Sequence, residues 1–236
     1  MAGALAANGA KVVLCDINEI ALNEAVKSFG KAGAKAEACV LNVADTETTR
    51  SVIDDVVKRH GRLDSLFANA GVTAGPGYGR PEGQIENASL DLWDKSMAVN
   101  LRGAFITMQA AARQMKEQRR GAIIVTASAS AFETSPLPAY AYHAAKAGVA
   151  HLTRLAAREL GPFNVRVNAI APGPFPTNMA SGRLKDPAVA PLFVNSVPLG
   201  RMGRLEEIEG LALLLASEAG SYITGAVIPI DGGVIL

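Results

Sequence analysis

Apolar runs of strand length alternate with amphipathic segments of helix length along most of the chain. The run AKVVLCD, ending at Asp16, predicts a strand, and NEIALNEAVKSFGKAG predicts a helix capped at Asn18 and closed near Gly30 or Gly33. AKAEACVLN predicts a second strand, and DTETTRSVIDDVVKRHG a second helix, started by Asp45 or Thr46 and stopped by Gly61. LDSLFANAG reads as a third strand, followed by a Gly/Pro-rich loop over residues 72–88. A long helix is expected over roughly residues 89–119, then a strand at GAIIVTAS, a Pro-containing loop, and a helix that contains Tyr142 and runs to about Leu160. NVRVNAIAPG and GAVIPIDGG are the last strands, separated by an irregular stretch over residues 174–204 and the helix LEEIEGLALLLASEAG. Strands separated by helices at this spacing form βαβ units. An α/β fold follows, with a parallel sheet covered on both faces in three α/β/α layers.

Composition narrows the picture. The 236 residues fit one domain, residues 1–236, with neither a repeat nor a linker to mark a second. Apolar residues make up 49% and aromatics 5%, so the core is built mainly of Ala, Val, Leu and Ile. The net charge is +1 with no basic stripe, which argues against nucleic acid as a partner. The run KEQRRG at 116–121 reads as the solvated, cationic end of a helix. Cys15 and Cys39 match no metal spacing, so no metal site is expected; both sit in apolar runs and read as buried free thiols. No apolar run approaches the ~20 residues of a membrane span, and the N-terminus lacks a basic leader. The expectation is a protein of a reducing, cytoplasmic setting that does not act on membranes.

Chemistry enters at AYAYHAAKAGVAHL, residues 139–152. Tyr142 and Lys146 are four residues apart and share a helix face. A phenol titrates near ~10, and a neighbouring ammonium stabilises its anion and lowers that value. The small residues Ala144, Ala145, Ala147 and Gly148 leave room beside the pair for a flat ligand. Such a pair suits acid/base work on an alcohol or ketone oxygen. Alone, the spacing is a weak signal.

Other elements give it context. ANAG at 68–71, AVNLRG at 98–103, IIVTAS at 123–128, YHAAK at 142–146, APGPFPT at 171–177 and IDGG at 230–233 occur in one order along the chain. In that order they resemble the short-chain dehydrogenase/reductase family, and the resemblance covers essentially the whole chain. It implies a Rossmann-like, doubly wound sheet and hydride transfer between NAD(H) and a secondary alcohol or ketone. Sugars, polyols, 3-oxoacyl thioesters and small cyclic alcohols are all open as substrates. It further implies a homo-oligomer, tetramer or dimer. Tyr142 would exchange the proton, Lys146 would lower its pKa and bind the nicotinamide ribose, Asn100 would hold a relay water through its helix backbone, and Ser128 would bind the substrate oxygen. Ser130 is the alternative serine, because Ser128 lies fourteen residues before Tyr142, one more than the commonest family spacing.

For the cofactor, Asp16 ends the first strand, where an acid accepts hydrogen bonds from the adenosine ribose and repels a 2′-phosphate. Residues 17–20 supply no Arg or Lys for such a phosphate, so NAD is expected over NADP. A plain helix cap is the competing role for Asp16. The resemblance places Asn42 and Val43 at the adenine, although the family usually has Asp at position 42. It places Asn69, Ala70 and Gly71 along the ribose and phosphates, and Pro172, Gly173 and Thr177 at the nicotinamide. The family's opening strand and glycine-rich turn, whose amides cradle the pyrophosphate, have no counterpart before VVLCD; MAGALAANGA matches the back half of the helix that follows that turn. The first strand is therefore expected to be missing from this sequence. GVTAGPG at 71–77 fits the turn by letter but follows a later strand and reads as a loop. A non-catalytic binding or assembly subunit of the same ancestry is the competing function. Phe175, Met179, Leu184 and Phe193 are expected to form an apolar substrate wall, with Arg183 and Lys185 either solvated or facing an acidic substrate.

Overall fold

Two short strands, Val12–Asp16 (β1) and Ala36–Val40 (β2), pair in parallel, joined by the helix Glu19–Lys31 (α2). The structure, a computed structural model, describes residues 1–31, 33–179, 182, 184 and 189–236. A short helix, Ala2–Ala7 (α1), precedes β1. After β2 come the helix Thr46–His60 (α3), the strand Ser65–Ala68 (β3), and the helices Leu90–Met97 (α4) and Ala104–Gln118 (α5). Gly121–Thr126 (β4), Tyr140–Leu160 (α6), Val165–Pro172 (β5), Ala190–Val194 (α7), Glu209–Ala216 (α8) and Val227–Ile230 (β6) complete the order. Strands β3, β4, β5 and β6 form a second parallel sheet in that spatial order.

Alternation along β4 builds the layers. Ile123 and Val125 are buried with Met108, Ala111 and Met115 of α5 and Val149 and Ala157 of α6. Ala122 and Ile124 face the other way, onto Ala212 and Leu215 of α8. Because both faces are covered, β4 is apolar at nearly every position rather than at every second one. Gly121 opens β4 against Met115, whose sulfur would lie 2.3 Å from an added Cβ.

The local signals act as expected at α3. The Asp45 carboxylate accepts the Thr48 N–H at 3.1 Å, and Gly61 stops the helix with φ 78°. The helix expected over 89–119 is interrupted: Ala98–Gly103 forms a π-helical turn between α4 and α5. Gly103 there approaches Val43 so closely that an added Cβ would lie 2.9 Å from its Cγ2. The stretch expected to be irregular contains α7. The basic run is spent on surface pairs, Lys116 with Glu159 and Arg120 with Glu218.

Two expectations need correction or comment. Cys15 is exposed and Cys39 half-buried rather than both buried; they are register partners on the β1–β2 ribbon. That ribbon pairs with no other strand among the described residues, so apolar sequence there does not translate into burial. Strands β1–β2 and β3–β6 are thus two separate sheets among the described residues. Among the described residues no helix is long and apolar enough to cross a membrane, and no group of three metal-ligating side chains occurs.

Candidate active site

The first turns of α6 carry Tyr142 and Lys146 into the protein; they are 7% and 2% exposed. Opposite them, β4 ends in Thr126, and Ser128 follows in an extended conformation that caps a short 3₁₀ turn, Ala129–Ala131. The Lys146 Nζ donates to the Thr126 carbonyl at 2.6 Å. The Thr126 hydroxyl in turn donates to Asn69 Oδ1 at 2.8 Å. The Tyr142 phenol interacts with Ser128, whose side chain favours its ionised form, and its oxygen lies 3.9 Å from the Met179 sulfur. Of the two candidate serines, Ser128 is thus the one beside the phenol. Ser130 instead sits in the 3₁₀ turn, where its N–H donates to Ser128 Oγ at 3.2 Å.

Asn100 sits in the π-helical turn, 1% exposed. Its side-chain oxygen accepts the Val72 N–H at 3.0 Å, and its amide donates to the Val72 carbonyl at 2.9 Å and to Ser96 Oγ at 3.0 Å. The amide thereby holds the loop after β3 against the helix. Gly71, just before, has no space for a side chain: an added Cβ would stand 3.0 Å from Asn100 Oδ1 and 3.7 Å from Lys146 Nζ. Asn69, Gly71, Asn100, Ser128, Tyr142 and Lys146 therefore converge on one point, at the C-terminal ends of β3 and β4.

The electrostatics differ from the expectation at the tyrosine. Burial holds the Tyr142 pKa above the ordinary phenol value, and the Ser128 hydrogen bond offsets this only in part. Lys146 does not lower it here. Its ammonium donates to the Thr126 carbonyl and lies 5.7 Å from the centre of the phenol ring. Burial also pushes the Lys146 pKa down, to about 8.

The remaining predicted residues line the same edge without joining this cluster. Asp16 ends β1, exposed, and accepts the Asn18 N–H at 2.8 Å. Asn18 itself accepts the Ala21 N–H at 3.1 Å and supplies the helix cap, so Asp16 is not needed for that role. Asn42 follows β2 and accepts the Ala44 N–H at 3.0 Å. Val43 packs on the π-helical turn through Gly103. Ala70 is exposed beside Gly71. Pro172 ends β5, and Gly173 lies so near Asp231 that an added Cβ would be 2.7 Å from its Cα. Thr177 donates its N–H to the Phe175 carbonyl at 2.8 Å, and its hydroxyl accepts the Met179 N–H at 3.3 Å. In the expected apolar wall, Met179 meets the phenol, whereas Phe175 packs against Gly203. Leu184 and Phe193 are half-buried, and Arg183 and Lys185 lie outside the described residues. Thr126 went unassigned in the sequence, although it lies within IIVTAS; a hydroxyl ending a buried strand was its only signal.

A nicotinamide dinucleotide fits this edge at both ends. Acceptors for ribose hydroxyls stand at Asp16, and the crevice at the strand carboxyl ends is where such folds bind ligands. At Gly71 and Gly173 an added Cβ would press on Asn100 and Asp231 respectively.

Comparison with known proteins agrees with this geometry. Residues 1–235 match the family model described as enoyl-(acyl carrier protein) reductase. The chain is 36% identical to the 3-oxoacyl-acyl-carrier-protein reductase FabG of Thermotoga maritima, over 98% of this chain and 90% of that protein. It is 39% identical to the cyclohexanol dehydrogenase of a Rhodococcus species, over 88% of this chain and 76% of that protein. Among solved structures, NAD+-bound xylitol dehydrogenase superposes with a TM-score of 0.88 at 32% identity, covering 98% of this chain and 92% of that one. The gluconate 5-dehydrogenase of Burkholderia cenocepacia, in complex with NADP and tartrate, gives 0.87 at 31% identity, covering 99% and 88%. With nearly its whole length matched and a buried Tyr142–Lys146 pair at the strand ends, the chain belongs to the short-chain dehydrogenase/reductase family of NAD(P)-dependent oxidoreductases.

Proposed function

We propose that the protein interconverts a secondary alcohol and its ketone with NAD as the preferred cofactor. The convergence of Ser128, Tyr142, Lys146 and Asn100 carries this reading. When bound, the nicotinamide supplies the acceptor or donor of the hydride. Ser128 and Tyr142 hold the substrate oxygen between two hydroxyls. A phenol whose pKa is raised stays protonated at neutral pH, so it is ready to give its proton to a ketone oxygen as charge develops there. Lys146 would orient the ribose; Asn100 fixes the turn whose backbone would hold a relay water. The preference for NAD rests on Asp16, since one relative is bound to NAD+ and another to NADP. Asn42 and Val43 would hold the adenine, Asn69, Ala70 and Gly71 the ribose and phosphate side, and Pro172, Gly173 and Thr177 the nicotinamide.

The substrates named for relatives, a 3-oxoacyl thioester and a cyclic alcohol, are the classes to test first, with a polyol as the third. A turnover screen with acetoacetyl-CoA, cyclohexanol and xylitol, followed by nicotinamide absorbance, identifies the class. Tyr142→Phe removes the phenol oxygen and keeps the ring; turnover should fall by about 10² or more with the fold retained by circular dichroism. Near-normal turnover in the folded variant would refute the mechanism.

The chain is further proposed to self-associate through α4, α5 and α6. Met97, Leu101, Phe105, Gly148 and Leu152 line an apolar groove of about 750 Å³ there, with Asp94 and Arg102 at the same groove. One acid and one base on one patch allow a second copy, related by a twofold axis, to pair each with the other. Phe105, 45% exposed, is the position to test: Phe105→Glu should shift the sedimenting species to a monomer.

A further inference from the structure

We infer that His143 is a positioning residue that ties the segment between Ser128 and the substrate loop, residues 132–139, to α6 through one of two carbonyls; this rests on the alcohol/ketone reading above. His143 lies one residue after Tyr142 in the first turn of α6, half-buried. Its two ring nitrogens face two backbone carbonyls: Nδ1 is 3.0 Å from the Ser130 oxygen and Nε2 is 3.3 Å from the Ser135 oxygen. A carbonyl only accepts, and each imidazole tautomer carries one N–H, so in either tautomer the ring holds one of the two.

What these carbonyls belong to gives the ring its reach. Ser130 donates its own N–H to Ser128 Oγ, and Ser128 is the hydroxyl beside Tyr142. A tie on the Ser130 carbonyl therefore holds the residue whose N–H meets the Ser128 hydroxyl, through the adjoining peptide. Ser135 sits in the loop whose two ends are Ser128 and Tyr142, the groups proposed to grip the reacting oxygen. That loop is docked on the 72–88 loop. Gly79 donates its N–H to the Pro136 carbonyl at 3.1 Å, and the Tyr78 and Tyr140 rings meet at 6.3 Å. At Gly77 an added Cβ would stand 2.2 Å from the Pro136 oxygen and 2.6 Å from the Pro138 oxygen, so backbone packs on backbone. The two loops form one wall, and His143 pins that wall to the helix bearing Tyr142 and Lys146. Loops of this kind set which substrates a shared scaffold accepts. The ring touches neither Tyr142 nor Lys146 through a hydrogen bond, so its loss should act on substrate binding rather than on proton transfer.

The test compares wild type, His143→Ala and His143→Gln. Gln keeps an amide donor of similar reach; Ala keeps none. Backbone hydrogen exchange read by mass spectrometry should show residues 130–139 exchanging faster in His143→Ala, with His143→Gln close to wild type. This readout needs no turnover, so it separates failure of the inference from failure of the proposed activity. With the substrate that turns over in the screen above, His143→Ala should raise KM about tenfold and change kcat by less than about threefold, and Gln should recover most of the loss. If Ala does not fold, the Gln variant still decides: wild-type exchange and KM support the tie, and a loss in both refutes it. Unchanged exchange in folded Ala, or a fall in kcat with KM unaltered, would also overturn the inference.

Discussion

Replacing Lys146 with Met should alter how stability depends on pH. Lys146 is 2% exposed, and its only hydrogen bond among the described residues goes to the Thr126 carbonyl. Its pKa drops from 10.5 in the free side chain to about 8, through burial. The unfolded chain keeps that proton up to the higher value, while the folded chain releases it near the lower one. Between the two, the unfolded state binds more protons, so stability rises with pH. The full displacement corresponds to about 3 kcal/mol, held against the fold below pH ~8 and relieved toward pH ~10.5. About 2 kcal/mol of this falls between pH ~7.5 and ~9.5. Met fills similar space without a charge, so it removes this slope. It also leaves the Thr126 carbonyl without its donor, a cost of about 1–3 kcal/mol that does not vary with pH. Tyr142 is shifted upward and titrates above this window. Urea unfolding of both proteins at the two ends of the window gives the comparison. The stability difference, wild type minus Met, should grow by about 2 kcal/mol as pH rises across it. A difference independent of pH would mean that Lys146 keeps its ordinary pKa, with its charge solvated in the folded protein.

Three further outcomes follow from the site. Asp16→Ala should weaken NAD binding by a few kcal/mol at most and narrow the preference over NADP, measured by titration calorimetry; a wild-type preference for NADP would refute the ribose assignment. Gly103→Ala forces a Cβ to within 2.9 Å of Val43 Cγ2 and 3.1 Å of its carbonyl oxygen. It should cost about 1–3 kcal/mol in urea unfolding and weaken NAD binding as well, because Val43 must move; unchanged stability would show that the π-helical turn adjusts freely. Gly77→Ala, against the Pro136 and Pro138 carbonyls, should raise the substrate KM with kcat retained, and loss of kcat alone would argue that the two loops do not form one wall.

The sequence by itself determined the order of elements and most of the candidate site, because those signals are local. Asp45 and Gly61 bound α3 through bonds reaching three or four residues, and apolar runs such as GAIIVT mark strands buried on both faces. Tyr142 and Lys146 share a helix face through helical geometry alone. Other features needed partners distant in the chain. Burial of Cys15 and Cys39 failed as an expectation because apolar character states a preference, while burial depends on what covers the ribbon. The π-helical turn at Ala98–Gly103 goes with the approach of Gly103 to Val43, some sixty residues earlier. Between Ser128 and Ser130, the fold sets Ser128 against the phenol, while the Ser130 N–H donates to Ser128 Oγ. The charge state around Tyr142 was decided in the same way. Spacing put an ammonium four residues away, but that ammonium donates to the Thr126 carbonyl at the end of β4, and burial is the largest influence on the phenol's pKa. A helical repeat fixes which side chains are neighbours; the dielectric they share, and the atoms their charges face, are fixed only by the elements that fold over them.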